Sequence, residues 1–312
     1  MKKNKMRWLS VCLSVLMLLM LAGCGGSEQP QAGGKDTIII YDGQFSEMWL
    51  VHRAVKLLVE EHTDAKVEIR EEMAPPNSYN LIVKGDSDLM NSYDGTLLTT
   101  FLHLDPSDVP EGQSLYDFVN EKGKAEGVRL LDKLGLNNTY VLGVAPAVYE
   151  KYKMETVSDL AQVAGELVFG AEHDFFTEEG SAKFNPLTEF YGLNFKEAKQ
   201  IDIGLKYSAV DSGNIDVTVV YATDGLNRRS NMKTLTDDKG FFPEYNGAVL
   251  VREALFEEMK DVAPNLEEVL NKLSGIFPSE VMTDLSYAVD VEGKDVNVVI
   301  KEFLQEKGLI AK

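Results

Sequence analysis

Residue types suited to catalysis are scarce in this chain and poorly spaced for it. The four histidines (His52, His62, His103, His173) form no HxxxH or other close ligand pair. Two cysteines exclude a zinc ribbon or a disulfide scaffold. The patterns G-x-x-x-x-G-K-[ST], G-x-S-x-G and G-x-G-x-x-G are missing, which argues against an NTPase, a serine hydrolase or a dinucleotide enzyme. What does recur is a spacing that ends in tyrosine. Gly85-Asp-Ser-Asp88-Leu runs on to Tyr93, and Gly213-Asn-Ile-Asp216-Val runs on to Tyr221. In each, Asp follows Gly by three residues and Tyr follows Asp by five. The pattern predicts a helix ending at the glycine, a turn holding the aspartate, and a strand carrying the tyrosine. A further glycine follows each tyrosine, at Gly95 and Gly225. Open α/β sheets bind ligands beyond the carboxyl ends of their strands, so two lobes facing each other would point Tyr93 and Tyr221 into one cleft. The chemistry on offer is recognition.

The elements that must position these residues alternate short β-branched runs with helical periodicity. Strands are expected at Thr37–Tyr41, Val67–Arg70, Leu167–Ala171, Gln200–Ile203 and Ile215–Tyr221. Ser46 is the expected N-cap of a first helix with Leu50, Ala54, Leu57 and Leu58 on its apolar face. Trp49 reads as a packing residue of that helix, and Asp88 and Asp216 as turn residues. A second series begins near Val141, and the last sixty residues read as helices broken at Pro264 and Pro278. Strand–helix–strand units of this kind imply an α/β fold with a mainly parallel sheet.

Charge and the N-terminus narrow the setting. With 31 Lys+Arg against 50 Asp+Glu, the net charge of −19 excludes a broad nucleic-acid surface. Lys2, Lys3, Lys5 and Arg7 precede an apolar run from Trp8 to Leu21. Fourteen helical residues rise about 21 Å, short of a hydrocarbon core of roughly 30 Å. The run closes on Leu21-Ala22-Gly23-Cys24, which resembles a bacterial lipobox: residues 1–23 are then a lipoprotein signal peptide, and Cys24 carries the lipid. Cleavage would remove four basic residues, taking the charge from −19 to −23, and would leave the exported part without a free thiol. Residues 24–36 read as a flexible tether on the extracytoplasmic face of the cell membrane.

Tyr93-Asp-Gly-Thr96, Asn137-Asn-Thr-Tyr140, Gly204-Leu-Lys-Tyr207, Tyr221-Ala-Thr-Asp-Gly225 and Phe241-Phe-Pro-Glu-Tyr245 occur in that order, with Tyr287-Ala-Val-Asp290 near the end. Together they resemble the substrate-binding proteins of ABC importers for glycine betaine, carnitine and choline, over roughly residues 37–310. The resemblance implies a two-lobed periplasmic-binding-protein fold of type II, with an interlobe ligand cleft. Lobe I would comprise 37–141 and 248–312, and lobe II 142–247. It implies a tyrosine cage of Tyr93, Tyr140, Tyr221 and Tyr245 around a quaternary ammonium group. Tyr93 and Tyr140 would ride on one lobe edge and the other two opposite. Thr96, Asn138 and the loop Gly43-Gln44-Phe45-Ser46, with Gln44, would supply polar contacts. It further implies ABC permease subunits as partners, with no cofactor, no metal and no catalysis.

The physical chemistry fits that ligand. A trimethylammonium head has no N–H to donate, so its diffuse charge is held by aromatic faces, at roughly 0.5–2 kcal/mol per desolvated ring. Departures from the family pattern concern the carboxylate of betaine or carnitine. The loop Phe175-Phe176-Thr-Glu178-Glu179-Gly180 is acidic where some members are basic, Glu244 precedes the last cage tyrosine, and Asp94 sits inside the first motif. Lys206, Arg228 or Arg229 are the candidate replacements. The same scaffold could instead serve another amine or amino acid, a sensor complex, or an exported enzyme.

Overall fold

The computed structural model describes residues 35–176, 182–202 and 205–311. The expected signal peptide, Cys24 and nearly all of the tether lie outside these residues. Among the described residues ten strands form, in chain order β1 (Thr37–Asp42), β2 (Lys66–Glu72), β3 (Leu89–Tyr93), β4 (Val128–Leu130), β5 (Tyr140–Val144), β6 (Val168–Ala171), β7 (Glu197–Gln200), β8 (Val217–Tyr221), β9 (Lys233–Thr234) and β10 (Gly247–Arg252). β1 alternates half-exposed and buried side chains, as a strand with one face on a core must. It pairs in parallel with β2. The helix Ser46–His62 between them buries Leu50, Val51, Ala54, Val55, Leu58 and Val59. Phe45, not Ser46, holds the extended backbone of the cap, because the Ser46 hydroxyl donates to Asp290 instead, at 2.7 Å.

The sheets are mixed. A three-stranded sheet has the order β3-β10-β4, both pairs antiparallel, and a five-stranded sheet has the order β7-β6-β8-β5-β9. In the latter β6 is parallel to β7 and β8, whereas β5 is antiparallel to β8 and β9. Parallel pairing thus belongs to the strand–helix–strand units. The antiparallel strands β5 and β10 follow the two stretches of chain that pass between the sheets. These stretches lie side by side: Asn137 bridges Asn246 in antiparallel sense, and the Gly247 amide donates to the Leu136 carbonyl at 3.0 Å. β7 falls upstream of its expected position; beyond it the Ile201 amide still donates to the Ala171 carbonyl at 2.9 Å, and its side chain covers Gly170.

The repeated Gly-x-x-Asp spacing has a shared structural cause. Gly85 and Gly213 take φ of +84° and +72°, the left-handed conformation expected after a helix. Each aspartate then ties its strand to a neighbouring one. The Asp88 carboxylate accepts the Ile39 amide at 2.8 Å while its own amide donates to the Ile39 carbonyl at 2.9 Å. Asp216 does the same with Val168, at 2.8 Å in both directions. Asp88 is wholly buried and also accepts from Arg252, at 2.7 Å, and from Lys35.

The β1–β2 pair and one face of the β3-β10-β4 sheet share a core, and the five-stranded sheet packs into another. One core gathers Ile38, Ile40, Leu50, Leu58, Val251 and Phe277, and another gathers Leu142, Phe169, Leu187, Val217 and Val219. Within the first half, buried His52 ties the first helix to two strands. Its Nε2 accepts the Asn91 amide at 2.9 Å, so Nδ1 carries the proton and donates to Asp42 at 3.0 Å. Burial holds the His52 pKa below its ordinary 6.5, with Arg53 contributing, despite the pull of Asp42. The folded protein therefore keeps His52 neutral at pH values where the unfolded chain protonates it. Stability from this group is fully present above about pH 6.5 and falls as pH drops toward the depressed folded pKa. Denaturant melts at pH 7.5 and 5.5 should show the wild type losing more stability on acidification than His52→Gln. Equal losses would remove His52 from the account.

Candidate functional site

The first two tyrosines of the site are brought together by strand register. β3 ends at Tyr93, which lies opposite Gly247, the first residue of β10, and Tyr245 precedes that strand by two residues. Asp94 fastens the join. Its carboxylate accepts from the Gly95 amide at 2.8 Å, the Asn246 amide at 2.9 Å and the Asn246 side chain at 2.7 Å. The rings of Tyr93 and Tyr245 are 6.4 Å apart at 51°. Gly95 makes room for this pair, because a Cβ there would stand 2.8 Å from the Tyr245 ring. The Tyr93 hydroxyl donates to Glu47, and Asn91 and Asn138 donate to it. Burial and the neighbouring Glu47 push its pKa well up.

The other two tyrosines meet on the second sheet. Tyr140 and Tyr221 are register partners on β5 and β8, and their rings stack at 5.1 Å and 28°. Phe175 and Phe242 set their rings against Tyr140 at 5.9 and 6.1 Å, holding it from the core side. Tyr221 remains 40% exposed. Burial pushes the Tyr245 phenol up, with Asp94 and Tyr221 adding to the effect and a hydrogen bond from Thr99 opposing it. The expected partnership of Tyr93 with Tyr140 is not what forms. β5 already begins at Tyr140, and register places that residue opposite Tyr221.

Helices and the turn beyond β8 also meet near these tyrosines. The Thr223 hydroxyl, two residues beyond Tyr221, donates to the second oxygen of Glu47 at 2.7 Å. The short helix Gly225–Arg229 lies against the helix Ser279–Asp290, where Arg228 pairs with Asp284 and stacks over Tyr287 at 4.9 Å. A Cβ on Gly225 would stand 2.6 Å from the Tyr287 backbone nitrogen. Asp224 caps the short helix, accepting from the Leu226 amide at 2.8 Å.

Of the polar candidates, Thr96 is half-buried in the turn after Tyr93. Asn138 donates to Tyr93 and keeps a buried carbonyl oxygen without a hydrogen-bond partner. Gln44 is exposed on the loop before the first helix, a loop held by Trp49, whose indole donates to the Gly43 carbonyl at 2.6 Å. The three candidate cations are all engaged: Lys206 with Glu172 at 3.4 Å, Arg229 with Asp211 at 3.7 Å, and Arg228 with Asp284. Glu47 and Thr223 were not legible as site residues. Glu47 lies one and two turns before Leu50, Val51 and Ala54 on the buried face, and an acid on an apolar stripe is the signal that marks it. Among the described residues no cluster of His, Cys, Asp and Glu is fit to hold a metal, and no helix is long and apolar enough to cross a membrane.

Residues 36–306 match the OpuAC family, described as the substrate binding domain of ABC-type glycine betaine transport systems. The chain belongs to this family. It is 32% identical over 314 residues to the carnitine transport binding protein OpuCC of Listeria monocytogenes, covering 98% of this chain and 97% of that one. It is 31% identical over 304 residues to the ergothioneine transport permease/ergothioneine binding protein EgtU of Helicobacter pylori, covering 95% of this chain and about half (52%) of that protein. A crystal structure titled glycine betaine/carnitine/choline ABC transporter superposes with a TM-score of 0.80 at 28% identity, covering 88% of this chain and 99% of the other. The two-lobed α/β binding-protein fold is thus that of the family, and its members are binding components of transport systems.

The contact at Gly225 makes a testable demand. Gly225→Ala places a methyl against backbone, which cannot rotate away, so the two helices must separate. Affinity for a ligand held between the sheets should fall at least about tenfold, or 1.4 kcal/mol, with a larger radius of gyration in the ligand-saturated protein. Unchanged affinity and size would show that this contact is irrelevant to binding.

Proposed function

We propose that this protein captures a quaternary ammonium compound in a cage of Tyr93, Tyr140, Tyr221 and Tyr245 and delivers it to an ABC permease. The observation that carries the reading is the arrangement of two tyrosine pairs, one on each side of the interlobe crossing, with Glu47 touching both sides. Four rings contribute a gross attraction of about 2–8 kcal/mol, and micromolar binding corresponds to about −8 kcal/mol. The cage is adequate when polar contacts and lobe closure offset the cost of ordering. Thr96, Asn138 and Gln44 are the polar contacts in this proposal. The protein acts by binding and release rather than by turnover, from a lipid anchor on Cys24 at the extracytoplasmic face of the membrane.

The choice among quaternary amines follows from charge. A carboxylate-bearing ligand needs donors or a cation at the far end of the pocket. Lys206, Arg228 and Arg229 are already paired with acids, and Glu47 and Asp94 add negative charge beside the tyrosines. Choline or another carboxylate-free cation is expected to bind at least as well as glycine betaine.

Calorimetric titration with choline, glycine betaine, carnitine, ergothioneine and, as controls, a polyamine and amino acids tests both points. Alanine at each cage position should weaken a trimethylammonium ligand by about 1–2 kcal/mol, roughly five- to thirty-fold. Phenylalanine at Tyr140, Tyr221 or Tyr245 should cost less, since the ring face survives. Equal losses for Phe and Ala would make the hydroxyl the working group and favour a hydrogen-bonded amine. A preference of about tenfold or more for betaine over choline would overturn the charge argument.

A further inference from the structure

We propose that Glu47 is the counter-charge for the captured cation and the latch that couples its capture to the approach of the two lobes, so that the site selects for positive charge as well as shape. This rests on the cage reading above. Glu47 sits in the first turn of the helix Ser46–His62 and is only 5% exposed. Its two oxygens are divided between the two sides: one accepts from Tyr93 at the end of β3, the other from Thr223 beyond the end of β8, at 2.7 Å. Among the described residues it makes no ion pair.

That sets Glu47 apart from the other buried acids. Asp42 is matched by His52 and Arg53, Asp88 by Arg252 and Lys35, and Asp94 by three N–H donors. Each of those carboxylates is neutralised or fully hydrogen-bonded within the fold. Glu47 has two hydroxyls and no cation. A buried carboxylate in that position is costly unless a positive charge comes near. Burial pushes its carboxyl up, against the two hydroxyls that hold it down, as it also does at Asp94; what differs is that Glu47 is held by hydroxyls alone.

The cage supplies the place for the missing charge. A cation resting on the Tyr93 face lies one ring's breadth from the carboxylate. The phenol that donates to Glu47 becomes richer in electrons, and its face attracts a cation more strongly. Thr223 can satisfy the other oxygen only when its sheet comes up to the first helix. Closing over a cation therefore brings opposite charges together, whereas closing over a neutral molecule buries an uncompensated one.

The test compares choline with its uncharged isostere 3,3-dimethylbutan-1-ol, which keeps the shape and the hydroxyl, on the full chain. Wild type should prefer choline strongly. Glu47→Gln should shrink that preference by at least about tenfold, mainly through weaker choline binding. Thr223→Val, which keeps the charge and removes the interlobe hydroxyl, should weaken both ligands alike and leave the preference intact. Equal weakening of the two ligands by Glu47→Gln, or no change in either, would overturn the role of Glu47 while leaving the cage standing. Loss of the preference in Thr223→Val would also overturn it, and this arm decides the matter should Glu47→Gln fail to fold. A wild type that binds choline no better than the isostere overturns it too, and one that binds no quaternary amine at all overturns the cage reading and this inference together.

Discussion

The placement of the candidate site depends on one recurring interaction, a carboxylate that accepts the amide of a neighbouring strand. Asp88 holds β3 against β1 in this way, and Asp216 holds β8 against β6. It reinforces the register that β10 and β5 impose, and a slip of one residue would exchange the two faces of a strand. From either aspartate the chain runs five residues, about 17 Å of extended backbone, to a tyrosine at the strand's end. The same device thus delivers Tyr93 and Tyr221 to equivalent edges of two different sheets. Antiparallel partners do the rest: β10 begins opposite Tyr93 just after Tyr245, and β5 begins with Tyr140 opposite Tyr221.

Glycine then decides how closely the parts approach. Gly95 lets the Tyr245 ring lie on backbone, and Gly225 lets the short helix after β8 rest on the backbone of Tyr287. The two glycines follow Tyr93 and Tyr221 by two and four residues, within the turn where strand gives way to helix. The exposed ion pair of Arg228 with Asp284 adds little on its own. The close backbone contact beneath it and the hydrogen bond from Thr223 to Glu47 are what make the two sides meet in one geometry.

Much of this was legible in the sequence, for reasons that can be located. The Gly-x-x-Asp-x₄-Tyr repeat carried the strand ends and one tyrosine from each side, because turn chemistry is local and glycine and aspartate report it directly. The helix face from Leu50 to Leu58 was legible from periodicity. What was not legible depends on partners distant in the chain. Ser46 resembles an N-cap, but Asp290 claims its hydroxyl. Asp88 and Asp216 look like turn residues until the neighbouring strand is present to donate to them. Tyr140 was expected beside Tyr93, whereas an antiparallel ladder, which no local pattern fixes, sets it against Tyr221. Glu47 reads as one more helix acid, and only the arrival of Tyr93 and Thr223 from 46 and 176 residues away gives it a role.

The charges around the tyrosines point in one direction. The basic side chains available to face a ligand carboxylate are drawn off by acids of their own: Lys206 is itself buried beside Glu172, and Arg229 reaches back to Asp211. Acids, by contrast, gather where the rings are, with Asp94 behind Tyr245 and Glu47 at the hydroxyl of Tyr93. Asp94 accepts from backbone and Asn246 N–H groups and so acts as a fastening, while Glu47 is held by two hydroxyls from opposite sides. An aromatic box is already selective for diffuse positive charge through its quadrupoles. A carboxylate placed at the hydroxyl end of one ring adds a field of the same sign without presenting an acceptor that water or a protonated amine could occupy. Tyrosine, rather than phenylalanine or tryptophan, is the residue that permits this, because its hydroxyl takes up the carboxylate at one end without covering the ring face.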